Sequence, residues 1–548
     1  MDIRLDTNWV DYLILAIYFV AVLGIGFAAK RYIKSSLDYF LSGRSLPAWI
    51  TGLAFISANL GALEVLGMAA NGAQFGTYTL HYYWIGAVPA MVFLGLVMMP
   101  FYYGSKVRSV PEYLRLRFNK PTHLFNALTF AIATVLIAGV NLYALALVLQ
   151  LLLGWPILLG IVVAAAIVLA YITLGGLSSA IYNEVLQFFI IVAALVPLTI
   201  VGLIDVGGWG GLQDAVAQRT DDDLFGTWSG TQPGAVDNPL GASWIPIIFG
   251  LGFVLSFGYW TTNFAEVQRA LSAKSLGAAR RTPLIGAFPK IFIPAITIIP
   301  GLVALAVING LGGDSEAMQY NNAIPLLMDR YLPSGMLGLA LVGLLAAFMA
   351  GVAANVSAFN TVVTYDLWES YVRPGQSDAY YLRFGRIATV AGIVIGIGTA
   401  LIASGYTNIM DYIQLLFSFF NAPLFATFII GMFWKRMTPW AGLYGLIAGT
   451  LGAAVAYYAN KWDIVSLGSD QSAAFWGAIA AFVADAVVTV IVSIFTQPKP
   501  DSELQGLVYG MANEEEAAEA EESAWYRSPQ LLGFGALGLT AALSFLFI

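Results

Sequence analysis

Runs of about 20 consecutive apolar residues recur along this sequence from Trp9 to its end, and a helix of that length crosses the hydrocarbon core of a bilayer. Backbone exposed to lipid must satisfy its own hydrogen bonds, so such runs fold as helices. A closed barrel would show short segments of alternating polarity instead. The runs fall at approximately 9–30, 48–70, 78–103, 122–152, 156–174, 180–205, 242–269, 283–309, 334–369, 380–403, 407–435, 439–460, 473–496 and 529–548. The expected fold is an all-α polytopic membrane protein of about 14 transmembrane helices, one transmembrane domain over 1–548. Composition agrees, with 59% of residues hydrophobic and 10% charged, far less charge than a soluble chain carries. Met1–Thr7 carries both signs of charge, and the run from Trp9 to Ala29 lacks a small-residue cleavage site. That run is therefore expected to span rather than to be removed as a signal.

Lys and Arg in short loops collect on the cytoplasmic side of a membrane. Lys30, Arg31 and Lys34 follow the first run, and Lys106, Arg108, Arg115, Arg117 and Lys120 the third. Arg269, Lys274, Arg280 and Arg281 follow the seventh, Arg373, Arg383 and Arg386 the ninth, and Lys435 and Arg436 the eleventh. All fall on one face, and Asp214, Asp221, Asp222 and Asp223 on the other, so both termini are expected outside a plasma or inner membrane. Gly207–Pro239 is expected to be an outward surface loop. The stretch 498–527, with Glu514, Glu515, Glu516, Glu519, Glu521 and Glu522, reads as a solvated acidic linker. A net charge of −7 argues against nucleic-acid binding. No cysteine is present, which excludes disulfides and thiolate metal sites. Only His81 and His123 could offer imidazole, so no zinc or copper centre is expected.

Within this apolar frame a few residues are costly. Pro47–Met68 is long enough to span, yet Ser57-Ala58-Asn59-Leu60-Gly61 in its middle holds a helix poorly, and Glu64 follows one turn later. An acid at bilayer depth and a broken membrane helix both point to a transport site; a glycine kink with one paired acid is the alternative. The span 242–269 offers a counterpart, interrupted by Gly258 between Ser256 and Tyr259-Trp260. An odd number of spans separates the two, so the halves they begin are expected in inverted topology. Lys290 is too deep to snorkel. It either pairs with Glu64 in a central cavity, forms a purely structural pair, or faces an aqueous vestibule. Glu184, near the start of its span, reads as an interfacial acid in water, with a cation or proton site as the alternative. Tyr82, Tyr83, His81, Tyr259 and Trp260 are expected near the cavity walls, where aromatic faces suit sugars. Asn263 and Gln414 could read hydroxyls or cross-link helices. The small residues of Ala346–Thr364 permit close helix packing.

Several motifs carry a resemblance to the solute:sodium symporters, including bacterial sodium/galactose and animal sodium/glucose cotransporters. Asp38–Pro47, DYFLSGRSLP, resembles that family's DYFLAGRSLP segment. Ser57-Ala58-Asn59 followed by Gly67-Met68 is similar to its first core helix, and Val110-Pro111-Glu112-Tyr113-Leu114 to its P-E-F/Y loop. Gly175-Gly176-Leu177 before Glu184 and Gln187, Gln268–Lys274, and Gly431–Arg436 follow in the family's order.

The resemblance implies a LeuT-like five-plus-five inverted repeat with broken first and sixth core helices. Residues 9–30 become an extra N-terminal helix, 48–205 and 242–435 the two repeats, and 439–548 peripheral C-terminal helices. It implies alternating-access transport of a small polar solute, a sugar or polyol. Of the family's sugar ligands, Lys290 and Gln414 are kept, with Tyr259 as an inner-gate tyrosine, Trp260, Asn263, Met68 and the outer aromatic Tyr82. Glu64 stands in place of a Gln, Tyr83 of a Glu, Gly86 of a Ser and Ser256 of an Asn. The family's sodium position maps onto carbonyls of Ser57, Leu60 and Ala347, but its two hydroxyls fall on Ala350 and Gly351, which have none. Ser357 is a spare hydroxyl nearly two turns away. Glu184 stands where the family has an Asp for a further cation. Sodium is thus the implied ion, on a degenerate site. The alternatives are a uniporter or a proton-coupled carrier using Glu64 and Lys290. The expected partners are a small-molecule solute and the lipid bilayer, with no other cofactor. A transport-inactive sensor lacks any attached signalling domain, and no nucleophile–base cluster supports an enzyme.

Overall fold

A computed structural model of the chain describes residues 7–31, 35–234, 236–313, 318–406, 408–511 and 527–547. Among these no strand occurs; a single parallel bridge, Leu46 to Ala273, ties two loops together. Eleven helices are long and apolar enough to cross a membrane, or up to 13 if each of two bent pairs counts as one span. A shorter apolar helix, Ile157–Ala170, accompanies them.

Burial sorts the helices into centre and periphery. In the most apolar 18 residues of Met336–Val372, 89% are buried inside the protein, and in those of Lys120–Gln150 83%, whereas in Trp9–Ala29 and Asp470–Phe495 the share is 28% and in Pro529–Leu546 22%. Small residues explain how the centre closes. Gly72 and Gly301 put two helix backbones in contact, because a Cβ at Gly72 would strike Ile298 and one at Gly301 would strike Ala69. Buried polar groups at helix ends are satisfied by side chains. Asp11, wholly buried, completes a capping box with Asn8 and also accepts from Gly335 N and Gly338 N at 2.7 Å, capping the central helix.

Two helices are bent where the sequence is polar. Ala48–Asn59 and Leu63–Leu80 meet at 57°, and Pro246–Thr262 and Phe264–Leu271 at 48°. Each differs from the sequence-based reading in place or extent. The first continues to Leu80, beyond the expected end at 70. The second breaks at Asn263, not at Gly258, which lies inside the helix 257–262. Asn263 leaves helical geometry at ψ 110° and its side chain accepts from Ala265 N, so it caps the next helix while ending the last. The expected spans 156–174 and 180–205 are two helices that meet at Gly176, whose φ 52° and ψ −151° are not helical. The loop 207–239 contains a helix, Gly208–Ala217. Of the acidic linker 498–527, residues 512–526, with the six glutamates named for it, lie outside the described residues, whereas Glu503 is described.

Candidate functional site

The first bend frees backbone groups. Leu60 leaves the helix at ψ 44°. Asn141, from the buried helix Lys120–Leu153, accepts from Ala62 N at 2.9 Å and donates to Ile137 O at 3.1 Å. Its amide sits between the bend and the central helix, where a Cβ on Gly61 or Gly351 would collide with it. The positions matched to sodium ligands are all here. Ser57, Leu60, Ala347 and Ala350 are buried, and the Ser57 hydroxyl has no hydrogen-bond partner. Ala350 and Gly351 present no side-chain oxygen, and Asn141 fills the space beside Gly351.

Beyond the bend, Leu63–Gly67 is wound as a π-helical turn, and so are Tyr82–Ala87 and Pro246–Ser256. Such turns rotate side chains off the regular helical face and recur at functional sites. These three aim Glu64, Tyr82, Tyr83 and Ser256 into one cavity of about 40 Å³, which Met68, Tyr259, Trp260, Lys290 and Gln414 also line. The cavity is closed to a sugar as it stands, being far below the roughly 300 Å³ at which small-molecule pockets begin. Two expected residues do not line it. Gly86 lies behind Ser256, where a Cβ would strike the serine hydroxyl, and Asn263 is committed to its capping role.

Glu64 and Lys290 do meet. Lys290 Nζ lies 2.5 Å from Glu64 Oε1 and donates to Asn59 Oδ1 at 2.5 Å. The ammonium also stands 4.7 Å over the Tyr83 ring and 5.1 Å over Trp260. Tyr83 donates to Glu64 Oε2 at 2.6 Å and contacts Thr297 Oγ1 at 3.2 Å. Both carboxylate oxygens are thus satisfied, as a buried ion pair requires. The Gln414 amide oxygen is buried without a partner, leaving it for a ligand hydroxyl.

On one side Tyr82 donates to Gln471 Oε1 at 2.6 Å, and the Gln471 amide donates to Asn71 Oδ1 and Asp411 Oδ1 at 2.7 and 2.9 Å. This lid draws Gln471 from the peripheral helix Asp470–Phe495. On the other side Asn59 donates to the Tyr259 hydroxyl at 3.0 Å, and Tyr259 donates to Glu266 Oε1 at 2.6 Å.

Three expectations are corrected. Glu184 is not in water: it is wholly buried and both its oxygens accept from Arg269. Arg269 is accordingly no loop charge, nor is Arg117, which is buried and donates to the carbonyls of Gly431, Trp434 and Met437. His81 turns from the cavity to Thr227 O at 2.7 Å and packs on Trp228. The sequence reading leaves out Asn141, Glu266, Thr297 and Gln471. Each is a polar residue within or beside an apolar run, the signal that drew attention to Lys290.

The profile of the sodium:solute symporter family matches residues 39–449. A sodium/glucose cotransporter of Vibrio parahaemolyticus is 28% identical over 472 residues, 82% of this chain and 85% of that protein. The sodium/glucose cotransporter 4 of Homo sapiens is 28% identical over 546 residues, 94% of this chain and 80% of that one. Among solved structures, a Na+-coupled sialic acid symporter in a substrate-bound outward-open state superposes with a TM-score of 0.75 at 19% identity, covering 90% of this chain and 99% of that one.

Proposed function

This chain belongs to the sodium:solute symporter family, and on that premise we propose that it moves a sugar or polyol across the membrane by alternating access. It is a multi-pass membrane protein and a transporter, not an enzyme. The observation that carries the solute class is the cavity between the two bent helices. There the Gln414 amide and Ser256 hydroxyl, beside the faces of Tyr259 and Trp260, match a ring with hydroxyls on its edge and apolar faces. The names of the relatives, sodium/glucose cotransporters, support the same class. The two bends support taking 48–205 and 242–435 as inverted repeats within about 14 spans. Equilibrium binding of labelled D-glucose and myo-inositol to the purified protein tests the solute class. Saturable binding that Gln414→Ala weakens is expected, and no binding of either compound contradicts it.

A second reading concerns the ion. Ala350 and Gly351 offer no hydroxyls, and the Asn141 amide occupies the space beside Gly351. A hard cation that loses side-chain oxygens loses affinity, so this observation favours transport that does not depend on sodium. Binding of the same sugar with potassium replacing sodium is expected to be unchanged; a marked loss overturns this reading.

A further inference from the structure

The hydrogen-bond chain that leaves the cavity ends on an acid that neither the sequence nor the solute site uses. Lys290 donates to Asn59 at 2.5 Å, Asn59 to the Tyr259 hydroxyl at 3.0 Å, and Tyr259 to Glu266 Oε1 at 2.6 Å. Glu266 stands in the first turn after the second bend and is 2% exposed. Its other oxygen, Oε2, is buried with no hydrogen-bond partner.

The charged and titratable groups facing Glu266 are Tyr259 and Arg269 from the bent helix itself, Lys290 from Leu276–Phe292, and Glu184 from Ile157–Asp205. Arg269 is committed to Glu184, and Lys290 to Glu64. Three carboxylates, Glu64, Glu184 and Glu266, therefore share two cations in a dry region. One uncompensated negative charge there is costly, and one proton removes it. Hydrogen bonding says where that proton fits. Glu64 accepts at both oxygens, from Lys290 and Tyr83, and Glu184 accepts at both from Arg269. A proton on either would displace a donor. Glu266 Oε2 is bare and displaces none.

We propose that Glu266 is a proton-binding site coupled to the gate that Tyr259 forms beneath the cavity. With Tyr259 seated, Glu266 is closed off and holds a proton on Oε2. When Tyr259 swings away, the Asn59–Tyr259–Glu266 bonds break and water reaches the carboxyl, which releases the proton to that water. Reseating Tyr259 takes a proton back onto Glu266 from that same water, so closing the gate binds one proton, opening it releases one, and none crosses the membrane. This inference rests on the alternating-access reading and adds to it a dependence of the gate on the pH of the side to which it opens.

Infrared difference spectroscopy of the full chain in lipid vesicles at neutral pH tests the proposal without any solute. Comparing wild type with Glu266→Gln is expected to show loss of the D2O-sensitive C=O stretch of a protonated carboxylic acid, with the ionised carboxylate bands unchanged. Asp485, another buried acid, whose two oxygens accept from Thr427 and Thr489, is untouched by this variant, so any band of its own stays in place. Glu266→Asp keeps the acid and is expected to shift the band rather than remove it, which decides the matter should the amide variant not fold. Glu64→Gln leaves as many carboxylates as cations, so it is expected to lose the Glu266 band as well. Loss of carboxylate stretches with no C=O change in Glu266→Gln overturns the site. Survival of the band in Glu64→Gln overturns the shared charge balance. Absence of sugar binding would count against the solute reading alone, because the spectra need no sugar.

Discussion

Glu64 and Lys290 decide how the centre of this protein can behave, because neither can be buried alone. Their contact at 2.5 Å, with both Glu64 oxygens occupied, makes each the main compensation for the other. Lys290→Met leaves Glu64 buried without its cation, and a broken buried pair typically costs about 3–5 kcal/mol. The double variant Glu64→Gln with Lys290→Met removes both charges and is expected to recover most of that loss. Thermal unfolding in detergent checks this, and simple additivity of the two changes would count against direct pairing. This pair was legible in the sequence, since an acid and an amine inside apolar runs have few ways to be satisfied. Glu266 carried the same signal, an acid inside the expected span 242–269, but nothing in the sequence says that it meets Tyr259, a contact only the fold makes. Glu184 misled for the converse reason. Its position near a helix start suggested water, but the fold sets Arg269 against it.

Among the elements, the bends and the close helix contacts position these side chains. The first bend was legible because Ser-Ala-Asn-Leu-Gly interrupts an apolar run. The second was misplaced by a few residues, because a glycine looks like a breaker while the capping chemistry of Asn263 does the breaking. The three π-helical turns left no signal that periodicity could reveal. Gly176 is a place where backbone geometry allows little else. Its φ of 52° with ψ −151° costs other residues on the order of 1–3 kcal/mol. A Cβ there would also lie 2.6 Å from the Tyr39 carbonyl oxygen. Gly176→Ala is therefore expected to lower the unfolding temperature and the yield of folded protein, where Gly24→Ala, with open space around it, is not. The central helix gives a second test. Gly351→Ser alone is expected to destabilise the protein, because its Cβ meets the Asn141 amide. Shortening that amide with Asn141→Ser should relieve the clash. Adding Ala350→Ser to that pair should then bring sodium-dependent binding, read by calorimetric titration with sodium chloride against potassium chloride.

For the whole molecule, the cavity is lined by the two bent helices together with Tyr82–Tyr103, Leu276–Val307 and Ile409–Phe433, while the most deeply buried helices, Met336–Val372 and Lys120–Gln150, give it no lining residue and the least buried, such as Pro529–Leu546, stand apart from it. The membrane-crossing runs were readable from hydropathy, but their order of burial was not, since Asp470–Phe495 is as apolar as Met336–Val372 and far less buried. Nor was the pairing between distant helices, since Gln471 stands out as a polar residue beside an apolar run but the sequence does not say that it meets Tyr82 and Asn71. On the proposed alternating-access reading, the Tyr82–Gln471 and Tyr259–Glu266 contacts are the ones that open in turn. Counterflow of labelled D-glucose in proteoliposomes, with sodium on both sides or potassium in its place, tests the central claim most directly. The account predicts saturable exchange that is abolished by Lys290→Met and is the same in either salt. Exchange that disappears when potassium replaces sodium, or that survives intact in Lys290→Met, would contradict it.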